Sequence, residues 1–240
     1  MKKIMAAALF LAVLGTSCKK DDPVPAPGDT KFLNTAPGTT WNYKTVDNQD
    51  LTETPYTLTS TNRDSVLNGR SYHVYTYNDA NGSSDEFYGI SGNEYYQFSE
   101  LAAGLPPIEF KYLVDNVGAG TSWTQPLTIS QTQQGVTLTF NATLKYTIVE
   151  KGNSVTVGSK SYDNTIKVKT DIINPSVTST LPLAITVEPI TQDVYAIYAP
   201  KYGLIKRNTQ LKVDINIQLV GTQNVIDNNT TTELISSNIP

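Results

Sequence analysis

The sequence predicts an all-β fold, built as a long, antiparallel, strongly curved sheet or open barrel. Two runs of strict alternation carry that reading. In the first, Val136, Leu138, Phe140, Ala142, Leu144, Tyr146 and Ile148 are interleaved with Thr137, Thr139, Asn141, Thr143, Lys145 and Thr147. In the second, Leu211, Val213, Ile215, Ile217 and Leu219 are interleaved with Lys212, Asp214, Asn216 and Gln218. A period of two places one face in a core and the other in water, the signature of antiparallel sheets. The first run would extend roughly 43 Å at about 3.3 Å per residue. Strands of that length twist and curl, which suits a bent sheet or barrel better than a compact sandwich; a bulge near Asn141-Ala142 is the alternative. Composition agrees, since Thr, Tyr, Val, Ile and Asn are plentiful and Ala, Glu and Lys are modest.

The chain begins with Lys2 and Lys3, followed by an apolar run from Ile4 to Leu14. That run is too short to span a bilayer, which takes about 20 apolar residues, but it fits a secretory signal. Small residues Gly15-Thr16-Ser17 lead to Cys18, the sole cysteine among 240 residues. Leu14-Gly15-Thr16-Ser17-Cys18 resembles a bacterial lipoprotein processing site of the looser kind seen in Bacteroidetes, with the leucine four places before the cysteine rather than three. The resemblance implies acylation of Cys18. An ordinary signal peptide with a chance cysteine is the plain alternative. The cluster Lys19-Lys20-Asp21-Asp22 resembles the signal that sends Bacteroidetes lipoproteins to the outer face of the outer membrane; otherwise it is the solvated start of a tether. Several acyl chains would anchor the protein stably in that membrane.

Pro23-Val24-Pro25-Ala26-Pro27-Gly28-Asp29 reads as an extended linker. The expected organisation is a signal peptide over 1–17, a lipidated cysteine and tether over 18–30, and one β-rich domain over 31–240. The first 17 residues hold two of the 18 basic residues and no acidic one, leaving 16 against 22. No basic stripe exists, so nucleic acid is not an expected partner. With Cys18 acylated, no thiol is left for a disulfide, a cysteine-ligated metal or cysteine catalysis. No cofactor is expected.

Within the domain, Pro37-Gly38 marks a turn and Thr40–Val46 a first strand. Tyr56, Leu58 and Ser60 belong to a second, and Asp64 to Gly69 reads as a turn. In Ser71–Tyr77, Tyr72, Val74 and Thr76 share one face, and His73, Tyr75 and Tyr77 the other. Asn81-Gly82 and Ser91-Gly92-Asn93 are hairpin signals. Ser99 to Leu105 reads as one helical turn, and Ile108–Val114 as a strand. Thr165–Ile173 is a strand ended by Asn174-Pro175; Leu183–Val187 and Asp193–Ala199 follow. Three words recur in order: Gly38-Thr39-Thr40-Trp41 as Gly120-Thr121-Ser122-Trp123, Gly69-Arg70-Ser71-Tyr72 as Gly158-Ser159-Lys160-Ser161-Tyr162, and Tyr88-Gly89-Ile90 as Tyr195-Ala196-Ile197. A duplicated meander joined into one sheet would produce this, as would common strand-start words. The segments Gly38–Tyr43 and Tyr198–Lys206 are similar to segments of β-rich bacterial lipoproteins of uncharacterised function, a resemblance that implies no activity.

The inventory for chemistry is thin. His73 is the single histidine. It lies mid-strand with no Gly-x-Ser-x-Gly elbow in the chain, and reads as a strand histidine satisfied by a neighbour. Asn78–Asp85 has the oxygens for calcium but not the spacing of a helix-loop-helix site, so no metal site is assigned. Glu86, Glu94, Glu100 and Glu109 cluster in sequence without a carboxylate pair being evident. Asp64-Ser65-Val66 resembles the O-glycosylation motif of exported Bacteroidetes proteins, in an expected turn. Tyr72, Tyr75, Tyr77, Tyr88, Tyr95 and Tyr96 form a candidate ligand platform, since tyrosine joins an apolar face to a polar tip. Three readings follow: a non-catalytic envelope lipoprotein binding a glycan, peptide or partner protein; a carrier enclosing a lipid or hydrophobe in a cavity; and a carboxylate-dependent hydrolase. The first is favoured.

Overall fold

The structure is a computed structural model that describes residues 31–99, 107–133, 135–182, 184–218 and 220–239. Cys18, Lys19, Lys20, Asp21 and Asp22, with the tether, lie outside the described residues, as does most of the helical turn expected after Ser99. The strands are β1 (Thr40–Asp47), β2 (Glu53–Leu67), β3 (Arg70–Asp79), β4 (Gly82–Ser91), β5 (Glu94–Ser99), β6 (Ile108–Val114), β7 (Ser122–Gln133), β8 (Val136–Val157), β9 (Lys160–Ser179), β10 (Ile185–Val187), β11 (Thr191–Ala199), β12 (Gly203–Ile217) and β13 (Gly221–Ser237). All pair antiparallel, in the order β6-β5-β4-β3-β2-β1-β13-β12-β11-β9-β8-β7. The all-β, curved-sheet expectation is met: this is one sheet rolled almost shut.

The chain meanders from β1 to β6, starts again at β7, and meanders to β13, which returns to pair with β1. Strand β10 occupies the same row as β11. It pairs with Val187↔Ile215 to Ile185↔Ile217, beyond the stretch of β12 that β11 covers. Pro189, which has no N–H for a ladder, separates the two pieces. The repeated words fall on matching strands. Trp41 and Trp123 stand in β1 and β7, the first strand of each half. Tyr72 and Tyr162 stand in the third, β3 and β9, and Tyr88 and Tyr195 in the fourth row, β4 and β11.

The long alternating run lies inside β8, which extends over 22 residues. The bulge expected near Asn141-Ala142 exists too, as a register shift between Asn141 and Thr143. Asn174-Pro175 bends β9 rather than ending it, with Asn174 at a φ of 51°. A second shift, between Ser60 and Asp64, corrects the expected turn at Asp64–Gly69. Strand pairing resumes past the bulge, so Ser65 lies in β2 opposite Tyr72 and is half-buried. The actual turn is Asn68-Gly69, both at positive φ.

Inward-facing residues form two linked clusters. One gathers Leu144, Tyr146, Ile148, Ile166 and Val168 around Phe32, Tyr95 and Leu113. The other gathers Trp41, Tyr43, Tyr75, Ile205 and Leu234. Burying each large side chain contributes about 1.5–3 kcal/mol before entropy is counted. The outward face carries ion pairs such as Lys206–Glu233 at 2.7 Å and Lys44–Glu53 at 2.6 Å. Such exposed pairs add little stability, but they mark this face as wet. No described helix is long and apolar enough to cross a membrane.

One end is stoppered by the chain leading into β1. The Phe32 N–H donates to the Tyr95 hydroxyl at 3.2 Å, the Tyr75 hydroxyl donates to the Asn34 carbonyl at 2.7 Å, and the Lys201 N–H donates to the Lys31 carbonyl at 2.8 Å. Gly203 permits this fit. Its φ is 68°, and a Cβ there would sit 3.2 Å from the Phe32 carbonyl oxygen.

Between β6 and β7 no backbone ladder forms. Side chains of β7 close the gap instead. The Gln125 amide receives the Lys111 N–H at 3.2 Å and donates to the Glu109 carbonyl, and Trp123 Nε1 donates to the Lys111 carbonyl at 2.8 Å. Trp123 also stacks on Tyr146 with ring centroids 5.5 Å apart. Replacing Gln125 by Ala should therefore cost about 1–3 kcal/mol, since it strips buried partners from two backbone groups. It should also speed amide exchange at Lys111 more than at mid-sheet positions such as Val168. Chemical denaturation with residue-resolved hydrogen exchange measures both; unchanged exchange at Lys111 would show that Gln125 does not hold the seam.

Candidate ligand cavity

Beyond the Phe32 stopper the lumen is not filled. It holds a cavity of about 310 Å³ whose wall includes seven tyrosines, together with Trp41, Glu86, Gln97, Ser99 and Arg207. The alternation of each strand explains who faces in. Trp41, Tyr43 and Thr45 come from β1, Tyr56 and Leu58 from β2, Tyr75 and Tyr77 from β3, and Glu86 and Tyr88 from β4. Beyond β1 the wall continues with Thr232 of β13, next to Thr45, then Arg207 of β12 and Tyr198 of β11.

The tyrosines form two runs of touching rings. Tyr43 stacks on Tyr56 at 5.0 Å, and Tyr56 meets Tyr77 at 4.9 Å. Tyr75 meets Tyr88 edge-on at 5.3 Å, Tyr88 meets Tyr112 at 6.3 Å, and Tyr112 meets Tyr198 at 5.3 Å. Burial pushes the phenols of Tyr43, Tyr88 and Tyr112 well above their ordinary range, and that of Tyr56 up to about 12. All are neutral at physiological pH. Burial also raises the Glu86 carboxyl, against the opposing pull of the Gln97 amide and the Arg207 charge.

Arg207 is the cation of this wall. Tyr198 stands on the same wall, and the Arg207 charge opposes the rise that burial gives its phenol. Among the described residues no carboxylate lies within ion-pair distance of Arg207, although eight lysine or arginine ion pairs form elsewhere. Glu86 and Arg207 line the same cavity from opposite sides without meeting. Neutral phenols offer Arg207 dipoles but no countercharge. Arg207 is half-buried, so its partial desolvation is not offset by an ion pair and does not serve stability.

The six tyrosines singled out from sequence do not make one exposed platform. Tyr75, Tyr77 and Tyr88 face the cavity. Tyr95 is fully buried against the stopper. Tyr72 and Tyr96 lie on the opposite face of the sheet, where Arg70 sits 3.5 Å over the Tyr96 ring and pairs with Glu109 at 2.8 Å, and where the Tyr72 hydroxyl also donates to Glu109. Gly89 lets the Tyr72 ring lie flat across β4, since a Cβ there would come within 3.2 Å of it and 3.0 Å of the Ser71 carbonyl. Sequence reasoning missed Arg207, Tyr112 and Tyr198. The signal available was an arginine at an inward position of β12, two residues beyond buried Ile205.

A Ser-His-Asp chain does occur. Ser60 Oγ lies 2.9 Å from His73 Nε2, and His73 Nδ1 lies 2.8 Å from Asp64 Oδ1. The β2 bulge creates it, by turning Asp64 back onto the β3 partner. The geometry resembles a nucleophile, base and orienting acid, but the hydroxyl is unreachable. Ser60 is 1% exposed, is absent from the cavity wall, and is covered by Gly38 and Thr39, which bond its backbone on both sides at 2.8 Å. The chain is a structural tie, in line with a histidine satisfied by its neighbours. At the polar hairpin tip, Asp79 is committed to the N–H groups of Asn81 and Gly82, at 2.7 and 3.1 Å.

A larger open cleft, about 780 Å³, lies at the stoppered end. Three of its lysines are already engaged, Lys31 donating to the Gly92 carbonyl at 3.1 Å. Lys151 donates to the Asp115 and Val117 carbonyls, and Lys160 to the Tyr202 hydroxyl. It reads as the packing of the stopper rather than a site. Accordingly, a fluorophosphonate probe should leave Ser60 unmodified in the folded protein, and Ser60→Ala should cost about 1 kcal/mol in denaturation. Stoichiometric labelling of Ser60, read by peptide mass spectrometry, would contradict the structural assignment.

No family model matches the chain, and no curated protein does. Among solved structures, the chain is similar to a "putative lipoprotein" from Parabacteroides distasonis, at 16% identity and a TM-score of 0.52. The match covers 87% of this chain and 98% of that one. At that identity the two share a fold, and the likeness extends over nearly the whole of the other protein.

Proposed function

We propose that the chain is a cell-envelope lipoprotein, anchored through Cys18 in the outer membrane and displayed outward, whose barrel is a non-catalytic binding module that takes its ligand into the lumen. The observation that carries the binding reading is the cavity itself. It is walled by rings with hydroxyl tips and by an arginine lacking a carboxylate partner, a wall suited to stacking and hydrogen bonding. Its volume lies at the small end of the about 300–1,000 Å³ typical of ligand sites. That fits a compact polar molecule, such as a glycan unit, better than an acyl chain, and the wet polar groups disfavour the hydrophobe-carrier reading. Hydrolysis by paired carboxylates needs two acids in one cleft, and among the described residues Glu86 is the acid on this wall. The anchor rests on the run Leu14–Cys18 and on Lys19, Lys20, Asp21 and Asp22; the fold likeness to a protein described as a lipoprotein is in keeping with it.

Two measurements test this. Labelled palmitate should enter the wild-type protein and not Cys18→Ala, and the variant should leave the membrane fraction. Native mass spectrometry of protein taken from its own envelope should show added mass in the range of a small metabolite. A protein free of added mass under gentle desolvation, with no gain in thermal stability from any small glycan, would overturn the lumen reading.

A further inference from the structure

The lumen sets one cation and hydroxyl groups free to donate against a single carboxylate. Besides Arg207, the Tyr56 and Tyr112 hydroxyls have no hydrogen-bond partner among the described residues, although both belong to the wall. Trp41 Nε1 also lacks a partner, but it is enclosed by protein and not open to the lumen. Against these stands one carboxylate, Glu86, already held by Gln97 at 3.2 Å. Most other polar tips are spent. Tyr43 donates to the Leu204 carbonyl at 2.8 Å, Tyr75 to Asn34, Tyr77 to Asp79, and Thr45 and Thr232 bond each other at 2.8 Å. A neutral apolar guest would leave every free donor unmatched, at a cost for each. A guest rich in acceptors and carrying negative charge would satisfy them together.

We infer that the lumen accepts a small organic acid of monosaccharide size, its carboxylate received by the Arg207 guanidinium and its body held between the tyrosine rings. This deepens the lumen-binding reading and rests on it. The planar guanidinium matches a carboxylate with two parallel N–H···O bonds, which a lysine could not reproduce. The tyrosine faces suit the C–H face of a sugar ring or the face of an aromatic one. Glu86 and Gln97, on the wall opposite Arg207, are placed to take hydroxyl groups at the other end of the guest.

The test is equilibrium dialysis of the full-length protein in detergent with two matched pairs of labelled probes, D-glucuronate against D-glucose and 4-hydroxybenzoate against 4-hydroxybenzyl alcohol. The acids should be retained about tenfold or more above their neutral partners, as expected where a charge-assisted pair is gained. Arg207→Gln should remove that margin, and Arg207→Lys should keep part of it. The melting temperature of unliganded Arg207→Gln should stay level or rise, because the variant discards a half-buried charge lacking a carboxylate partner. Retention of neutral and acidic probes alike, or retention of acids by Arg207→Gln, would overturn the inference and leave lumen binding intact. Retention of no probe would also overturn it, while added mass in the native spectrum would keep the lumen reading alive. A large fall in the melting temperature of Arg207→Gln would assign the arginine to the fold and overturn the inference as well.

Discussion

Everything in this barrel depends on closing a sheet whose last gap has no ladder. Strand β13 returns to pair along β1 from Trp41 to Asp47, with one register shift between Asn42 and Tyr43, whereas β6 and β7, neighbours in sequence, do not pair. The gap falls in the middle of the chain rather than at its ends. Gln125 and Trp123 bridge it from side chain to backbone. Without that bridge two edges would stand open, and an open edge invites pairing with other chains. Closure also fixes the lumen, because each strand's inward residues then converge on one space. The stopper formed by Phe32 and its neighbours seals one end and leaves the cavity behind it.

The interior is a compromise between packing and polarity. Toward β8 and β9 it is aliphatic and dry, with Ile148 and Ile166 fully buried. Toward β1 to β4 it becomes tyrosine, with Arg207 and Glu86 facing each other across free space. A barrel selected for stability alone has little use for Arg207, since a half-buried charge without an ion-pair partner does not repay its desolvation. Keeping a costly cation among neutral phenols is the kind of departure from good packing that concentrates at functional sites. The Ser60–His73–Asp64 tie shows the opposite case, where a constellation with catalytic geometry is fully accounted for by its burial.

Much of the architecture was legible in the sequence. Strict alternation in Val136–Ile148 and Leu211–Leu219 announced antiparallel strands long enough to curl; β8 realises the first and β12 the second as far as Ile217, Leu219 lying outside the described residues. The recurring words fell on equivalent strands of two six-row halves, as a duplication would require. Alternation tells which residues share a face but not which face closes inward. That is why Tyr72 and Tyr96 were grouped with Tyr75 and Tyr88, although the sheet sets them on opposite sides. The bulge after Ser60 was equally invisible, because its signal is pairing with β3 rather than any local residue preference. It moved Ser65 from an expected turn into a strand. Arg207 drew no attention in the sequence, because only closure of the barrel turns it inward.

The most direct measurement is a crystal structure of the protein grown with D-glucuronate, read at the lumen. The account predicts an open cavity behind Phe32, with a planar carboxylate against Arg207 and the body of the ligand between tyrosine rings. A lumen collapsed onto itself, with Arg207 swung across to pair with Glu86, would contradict it.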